Sequence, residues 1–257
     1  MKNELKHYYE EIYEEDGRLR RTRGHQIEYL TTVHYFDKIF TPRSRILDVC
    51  AGTGEYALYL AEQGHDVFAC DLMEKHVDIM RARPGADKLA GYQAADAMDL
   101  SDFEDNSYDI VLCMGALYHL HEAAEREKAV AECLRVLKPG GIFVFSYVTR
   151  NGAFIAELCR SKSFGKIADL ANIFKTGNYG VFYLMDFGEA QKLADKFELE
   201  KIVEVGTNVL RYPLADWLNN ADDADFEAYV AYHLATCEEP SILGNSPNCL
   251  WIGRKIH

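Results

Sequence analysis

The segment of this sequence with the clearest chemical potential is a glycine-containing loop, DVCAGTG at residues 48–54. It continues an apolar run, residues 45–50, that is typical of a buried strand. Gly52 and Gly54 allow a tight turn and let a ligand approach the backbone closely, because neither residue carries a side chain. A loop of this kind at the end of a strand predicts a ligand site there. We call residues 48–54 the glycine loop.

Two carboxylates follow the next two predicted strands. Asp71 ends the apolar run at residues 66–71, where a carboxylate can accept hydrogen bonds from both hydroxyls of a ribose. Asp96, followed by Ala97, comes after the weaker run at 91–95 and can accept from the exocyclic amine of adenine. A surface turn for Asp71 and a helix N-cap for Asp96 are the alternative interpretations. Because parallel strands end at one sheet edge, we expect both acids to lie beside the glycine loop.

Alternating strand and helix patterns between residues 45 and 148 must position these groups. The patterns predict strands at 45–50, 66–71, 91–95, 108–113 and 142–148, and helices at 54–63, 74–81 and 122–137, the last stopped by Pro139-Gly140-Gly141. Further along they predict helical and loop-like structure at 151–185, helices at 187–196 and 213–237, and strands at 199–206 and 250–254. Strands that are apolar on both faces and separated by helices predict a parallel sheet with helices on each side.

Residues 45–148 resemble the class I S-adenosylmethionine (SAM)-dependent methyltransferases. The resemblance rests on ILDVCAGTGEYALYLA, VFACDL, AADAMDL, FEDNSYDIVLCMGALYHL and ECLRVLKPGGIFVFS. It implies an α/β fold with a doubly wound, mostly parallel, seven-stranded Rossmann-like sheet, an antiparallel last strand and, here, a helical cap. One departure is Cys50, where the family has a glycine. No Asn/Asp-Pro-Pro-aromatic tetrapeptide follows strand four, which argues against adenine or glutamine N-methylation, and the sequence looks most like small-molecule methyltransferases of the quinone-pathway type.

The resemblance also implies which residues hold SAM. Asp48 and the glycine loop would hold its amino-acid end, although Asp48 could equally bond the loop backbone. Asp71 would bind the ribose, and Asp96 with Ala97 would bind the adenine. The residues predicted to bind SAM are Asp48, Ala51, Gly52, Gly54, Asp71, Leu72, Asp96, Ala97, Met114, Gly115 and Arg23.

Segments outside this core are expected to cover the site. The prediction is one methyltransferase domain, 1–257, with an N-terminal helical flap at 1–40, the SAM-binding core at 45–148, and cap insertions at 151–185 and 211–248. In the flap, where residues 4–40 look helical, Tyr8, Tyr9 and Tyr13 either make ordinary core contacts or close over SAM. Arg23 either pairs bidentately with the SAM carboxylate or is an ordinary surface arginine.

Tyr118 and His119, which follow the predicted strand at 108–113, are the candidate catalytic residues. His119 is the best candidate for a general base, if the acceptor atom must lose a proton, because histidine titrates near neutral pH. A packing role is the alternative. His119 and His121 do not share a helix face and no further ligand cluster accompanies them, so no metal site is predicted. The acceptor pocket is expected between these residues and the cap, which supplies Phe154, Phe164, Phe174, Tyr179, Phe182, Tyr183 and Trp217.

Composition narrows the class of partner. The formal net charge of −13 disfavours nucleic acid, which is bound through clustered lysine and arginine. No apolar run is long enough to span a membrane, and the acidic start does not look like a signal peptide. Seven scattered cysteines without a CxxC pair are typical of reduced core residues. We therefore expect a cytoplasmic protein with a small-molecule partner; the sequence does not indicate its oligomeric state.

The sequence thus predicts an enzyme that transfers a methyl group from SAM to a small molecule and releases S-adenosylhomocysteine. One alternative is an NAD(P)-dependent oxidoreductase, because GTGEYA at residues 52–57 fits GxGxxA with Asp71 at a suitable distance. Asp48 before the loop, Asp96-Ala97, and LKPGG before strand five favour SAM. A SAM-binding protein without catalysis, or a methyltransferase acting on protein or RNA, is also consistent with these patterns.

Overall fold

A computed structural model describes residues 2–162 and 170–257. Within that part of the chain the strands are β1 Arg45–Asp48, β2 Asp66–Asp71, β3 Gly91–Ala94, β4 Tyr108–Cys113, β5 Leu137–Thr149, β6 Asn178–Tyr179, β7 Phe182–Met185, β8 Leu199–Gly206 and β9 Asn248–Lys255. The α-helices are α1 Lys2–His7, α2 Arg23–Ile39, α3 Glu55–Glu62, α4 Glu74–Ala82, α5 Ala123–Val136, α6 Arg150–Ser161, α7 Leu170–Thr176, α8 Glu189–Asp195, α9 Ala215–Asn220, α10 Asp223–Thr236 and α11 Pro240–Leu243.

The main sheet has the order β3-β2-β1-β4-β5-β9-β8. The first five strands are parallel, and β9 runs antiparallel to both β5 and β8. This confirms the predicted seven-stranded, mostly parallel sheet with an antiparallel last strand. The chain passes from β1 outward to β2 and later to β4 on the other side of β1, so a ligand crevice is expected at the carboxyl end of β1.

Both faces of the central strands are buried, which fixes the positions of the strand ends. Alternate residues of β1 contribute to different core clusters, with Leu47 packed on one face and Ile46 on the other. The second face is covered by α2 and α3 through fully buried side chains such as Phe36 and Leu60. Near-continuous apolar runs are typical of parallel strands that are covered on both sides.

A two-stranded hairpin, β6–β7, differs from the helical and loop-like structure predicted for 151–185. β7 continues the sheet at the end of β5, where Val148 pairs with Leu184. Gly180 has a φ of +58° in the turn. Strands of two and four residues show little periodicity, and their formation depends on the edge of β5 that they extend. The hairpin places the Val181 carbonyl beside the carboxyl edge of the main sheet.

The N-terminal region is not the continuous helix predicted for residues 4–40. After α1 it forms a π-helical turn, Tyr8–Ile12, then an irregular stretch and a 3₁₀ turn, Arg18–Arg20. Gly17 has a φ of +66°, which an α-helix does not allow. Thr22 then caps α2 by accepting from the His25 backbone N–H. The break leaves residues 13–17 outside any helix, with a turn at residues 16–17.

The helix predicted for 122–137 ends one residue early, and β5 begins at Leu137. Pro139 accounts for this, because the residue before a proline is disfavoured in the helical region. Pairing of β5 with β4 is irregular until Ile142, where the sequence predicts the strand to start. Among the described residues, no helix has both the length and the apolarity needed to cross a lipid bilayer.

Gly54 gives a testable consequence of the tight turn after β1. Its φ is +89°, and a Cβ there would lie 2.7 Å from the Cγ of the buried Met80. Gly64, with a φ of +88° and open space around it, is a matched control. We expect Gly64→Ala to cost about 1 kcal/mol, and Gly54→Ala about 2–4 kcal/mol because overpacking adds to the strain. Urea unfolding measures both changes, and equal losses would contradict the close packing against Met80.

Candidate functional site

A cavity of about 150 Å³ lies at the carboxyl ends of β1, β2, β3 and β4. Most of the residues that the sequence predicts for the site line this cavity. Those that line it are Ala51, Gly52, Asp71, Leu72, Asp96, Ala97, Met114, Gly115, Tyr118 and His119. Asp48, Gly54 and Arg23 do not line it. The parallel sheet therefore brings groups from four separate loops to one place.

Asp71 joins two of these loops through its carboxylate. Oδ2 accepts from the Gly52 N–H at 2.8 Å, and Oδ1 accepts from the Met73 N–H at 2.9 Å. His76 Nδ1–H donates to the same Oδ1 at 3.0 Å. A carboxylate offers about four acceptor positions, so one position on Oδ2 remains for a ligand hydroxyl. His76, which sequence reasoning missed, follows Asp71 by five residues in the first turn of α4.

Asp48 is a buried carboxylate beside the glycine loop. It is 1% exposed, and among the described residues the Cys50 backbone N–H approaches its carboxylate without reaching the geometry of a full hydrogen bond. Burial raises its pKa to about 7. A buried carboxylate without a partner is destabilising when ionised. This placement suits a loop that binds a positively charged group, although Asp48 itself does not line the cavity.

Asp96 lies at the far side of the cavity from the glycine loop. Its Oδ1 accepts from the Met98 N–H at 3.0 Å, which holds the turn after β3. Its Oδ2 pairs with the Nζ of Lys2 from α1. The N-terminal region therefore contacts Asp96, the carboxylate that the sequence predicts to bind adenine.

His119 is held at both ring nitrogens. Its Nδ1 lies 2.9 Å from the Val181 carbonyl, which can only accept, so Nδ1 carries the proton. Its Nε2, 3.0 Å from the Tyr9 hydroxyl, therefore accepts from that group. Burial lowers the pKa of His119 to about 4. The imidazole is neutral at pH 7, and its basic nitrogen is already engaged by Tyr9.

The cavity wall opposite the sheet comes from the N-terminal region rather than from the cap. It is formed by Lys2, Leu5, Tyr9, Glu15, Arg18 and Leu19. The sequence flags Tyr9 as a possible cover but does not single out the others. The run RLRRTR at 18–23 holds four arginines, and only the break in the helix decides that the first of them faces the cavity.

Arg23 lies away from the cavity, contrary to the expectation that it meets the SAM carboxylate. Its guanidinium pairs with Asp223 at 2.6 Å and donates to the Asp222 carbonyl at 3.0 Å. It also lies 5.0 Å from the centre of the Phe226 ring. Arg23 opens α2, and the first turn of α2 faces α10, so its side chain joins two helices.

Of the cap aromatic residues, Phe182 reaches the cavity residues. Its ring centre is 5.0 Å from that of His119 and 6.3 Å from that of Tyr118. Tyr183 packs under Arg126, whose guanidinium lies 3.6 Å from the ring centre. Phe174, Tyr179 and Trp217 are 40–46% exposed, Phe154 packs on Phe174, and Phe164 lies outside the described residues.

The pKa of Asp48 predicts a pH-dependent stability difference. Because the folded pKa of about 7 lies above the ordinary 3.8, the wild-type fold loses stability as pH rises from 3.8 to about 7. Asp48→Asn removes this dependence, so its stability relative to wild type should increase by about 3 kcal/mol between pH 5 and pH 8. Urea unfolding of both proteins at the two pH values measures the change. A difference that stays constant with pH would contradict the raised pKa.

Comparisons with known proteins agree with this geometry. Residues 47–145 match the family model described as a methyltransferase domain. The chain is 41% identical over 100 residues to a demethylmenaquinone methyltransferase from Clavibacter sepedonicus, covering 39% of each protein. It is 30% identical over 128 residues to a ubiquinone biosynthesis O-methyltransferase from Hahella chejuensis, covering 49% of this chain and 52% of that protein. The matched regions thus span from about two fifths to about half of these relatives.

A solved SAM-dependent methyltransferase from Methanosarcina mazei has the same fold. The TM-score is 0.58 at 18% identity, covering 88% of this chain and 97% of the other. The resemblance inferred from the motifs is therefore confirmed. The strand order, the glycine loop at the end of β1 and the family match lead to one conclusion: residues 47–145 match a methyltransferase domain, and the chain has the fold of the SAM-dependent methyltransferases.

Proposed function

We propose that this protein transfers the methyl group of SAM to a small-molecule acceptor. The observation that carries the proposal is the order of groups along one cavity: the glycine loop after β1, Asp71 after β2 and Asp96 after β3. These groups suit, in turn, an amino-acid chain, a ribose and an adenine. The curated relatives, named as methyltransferases of quinone biosynthesis, support a small-molecule acceptor.

The residues present fit SAM. Gly52 has a φ of +55° and no side chain between its backbone and the cavity. Asp71 keeps one acceptor position for a ribose hydroxyl, and Asp96 can exchange its partner Lys2 for an adenine amine. When bound, SAM supplies a sulfonium-activated methyl group, so the protein needs chiefly to orient the acceptor and exclude water.

The catalytic roles follow from the contacts of Tyr118 and His119. Both line the cavity beyond the end of β4, next to Met114 and Gly115. We propose that they form the acceptor side of the site. With its Nε2 occupied by Tyr9, His119 serves to orient the Tyr9 hydroxyl rather than to act alone as a base. A dedicated base is needed only if the acceptor atom carries a proton that it must lose during methyl transfer.

The enclosure of the cavity favours a small acceptor over a macromolecule. The N-terminal region covers it from Lys2 near β3 to Glu15 near the glycine loop. A methyltransferase acting on RNA would need an open and basic groove, whereas this chain has a net charge of −13. Aromatic side chains around His119, including Tyr9 and Phe182, suit an acceptor with an apolar ring.

A thermal-shift comparison tests the choice of cofactor. SAM and S-adenosylhomocysteine at about 100 times their dissociation constants should each stabilise the fold by about 2.7 kcal/mol, which raises Tm by roughly 5–11 °C for a chain of this size. NADH should leave Tm unchanged. Stabilisation by NADH and not by SAM would instead indicate the oxidoreductase. Binding of SAM without S-adenosylhomocysteine formation across phenols, thiols and amines would indicate a binding protein without methyl transfer.

A substitution at Asp71 tests the ribose contact. Asp71→Asn keeps the size of the side chain but removes its charge and replaces one acceptor oxygen with a donor NH2 group, so SAM affinity should fall by about 1.5–3 kcal/mol. Calorimetry gives the affinity, and circular dichroism checks that the fold persists. Asp78→Asn is the control, because Asp78 pairs with Arg81 on the exposed face of α4. Unchanged affinity in the Asp71 variant would remove this residue from the site.

A further inference from the structure

A four-charge cluster lies where the N-terminal region meets the glycine loop. Arg18 pairs with Glu15 at 2.8 Å and with Glu28 at 2.9 Å, and Arg211 lies 3.7 Å from Glu28. The four side chains are 9–20% exposed. Glu15 and Arg18 line the cavity. The cluster therefore presents one negative and one positive group to the cavity, and its total charge is zero.

The position of Glu15 shows that the cluster faces the end of the cavity at Gly52. Its Cγ lies 3.6 Å from the position that a Cβ on Gly52 would occupy. Asp96, paired with Lys2, lies at the other side, after β3. Under the proposed function, the end at Gly52 receives the amino-acid part of the cofactor.

The two acidic partners of Arg18 are held very differently. Glu28 lies on α2, is 7% exposed, and accepts from the Asn208 Nδ2 at 3.2 Å. Asn208 is itself fully buried and bonded to Ser246 and Asn248. Glu15 instead lies in the irregular stretch between the π-helical turn and the 3₁₀ turn, two residues before Gly17. Arg18 thus keeps its anchor through Glu28 when Glu15 moves.

We propose that the Glu15–Arg18 pair opens to bind the zwitterion of an α-amino acid, with Glu15 binding the ammonium and Arg18 binding the carboxylate. This rests on the proposed function and assigns the amino-acid end of the cofactor site to two residues of the N-terminal region. A zwitterion adds no net charge to the cluster, and each of its charges meets an opposite charge already desolvated. Arginine suits the role, because its planar guanidinium can bind Glu28 along one edge and a carboxylate along another.

The proposal predicts selectivity between nucleosides that share adenine, ribose and sulfur. The probes are SAM, decarboxylated SAM, which lacks the carboxylate, and 5′-methylthioadenosine, which lacks the whole amino-acid chain and the sulfonium charge. Wild type should bind SAM at least tenfold more tightly than either analogue. Arg18→Met should weaken SAM at least tenfold and leave the two analogues within twofold. Glu15→Gln should weaken SAM and decarboxylated SAM, both of which carry the ammonium, and spare 5′-methylthioadenosine.

Matched controls and a conservative variant complete the experiment. Arg81→Met and Glu62→Gln remove half-exposed charges from pairs outside the cavity, and both should bind all three probes normally. Arg18→Lys keeps the charge without the planar fork, so its preference for SAM over decarboxylated SAM should lie between wild type and Arg18→Met. This variant carries the test if Arg18→Met fails to fold.

The outcomes separate this inference from the proposed function. Wild type that binds none of the probes overturns the proposed function itself. If wild type binds SAM and 5′-methylthioadenosine equally, only the proposal that Glu15 and Arg18 bind the zwitterion is overturned. Glu15→Gln that binds SAM as tightly as wild type would show that Glu15 does not bind the ammonium, and tighter binding would show that Glu15 competes with the cofactor for Arg18. Arg18→Met that weakens all three probes equally would show a purely structural role through Glu28.

Discussion

The hydrogen bond from the Gly52 N–H to Asp71 Oδ2 is the interaction on which the site depends. It ties the loop after β1 to the end of β2 and leaves one acceptor position of the carboxylate free. The parallel sheet makes this contact, because buried strands fix both loops at one edge. Asp96, which we propose to bind adenine, lies one strand further out. Ligand position is thus set by strand order.

The cavity is covered by the N-terminal region, a segment with little regular secondary structure. The N-terminal region contacts the sheet edge through two polar pairs, Lys2 with Asp96 and Tyr9 with His119. It also places the Glu15–Arg18 pair beside Gly52. Asp96, His119 and Gly52 all line the cavity. A cover held by exchangeable polar contacts can exclude water during the reaction and still admit a ligand, because polar pairs are replaced one for one.

The sequence predicted the core well because its signals are local. Apolar runs mark the strands, and the glycine loop, Asp71 and Asp96 each follow one of them directly. The positions of Arg23 and Arg18 were not predictable from RLRRTR, because the break at Gly17 decides which arginine turns inward. The hairpin β6–β7 was missed because it forms against β5 rather than from its own periodicity. Burial of His119 likewise depends on Tyr9 and Val181, which are distant in sequence.

The most direct test of this account is a crystal structure of the protein with S-adenosylhomocysteine. The account predicts adenine beside Asp96 and Ala97, a ribose hydroxyl on Asp71 Oδ2, and the amino-acid chain against Gly52, with the sulfur facing Met114 and Gly115. A nucleoside bound anywhere else, or bound in this cavity with its ribose away from Asp71, would contradict it.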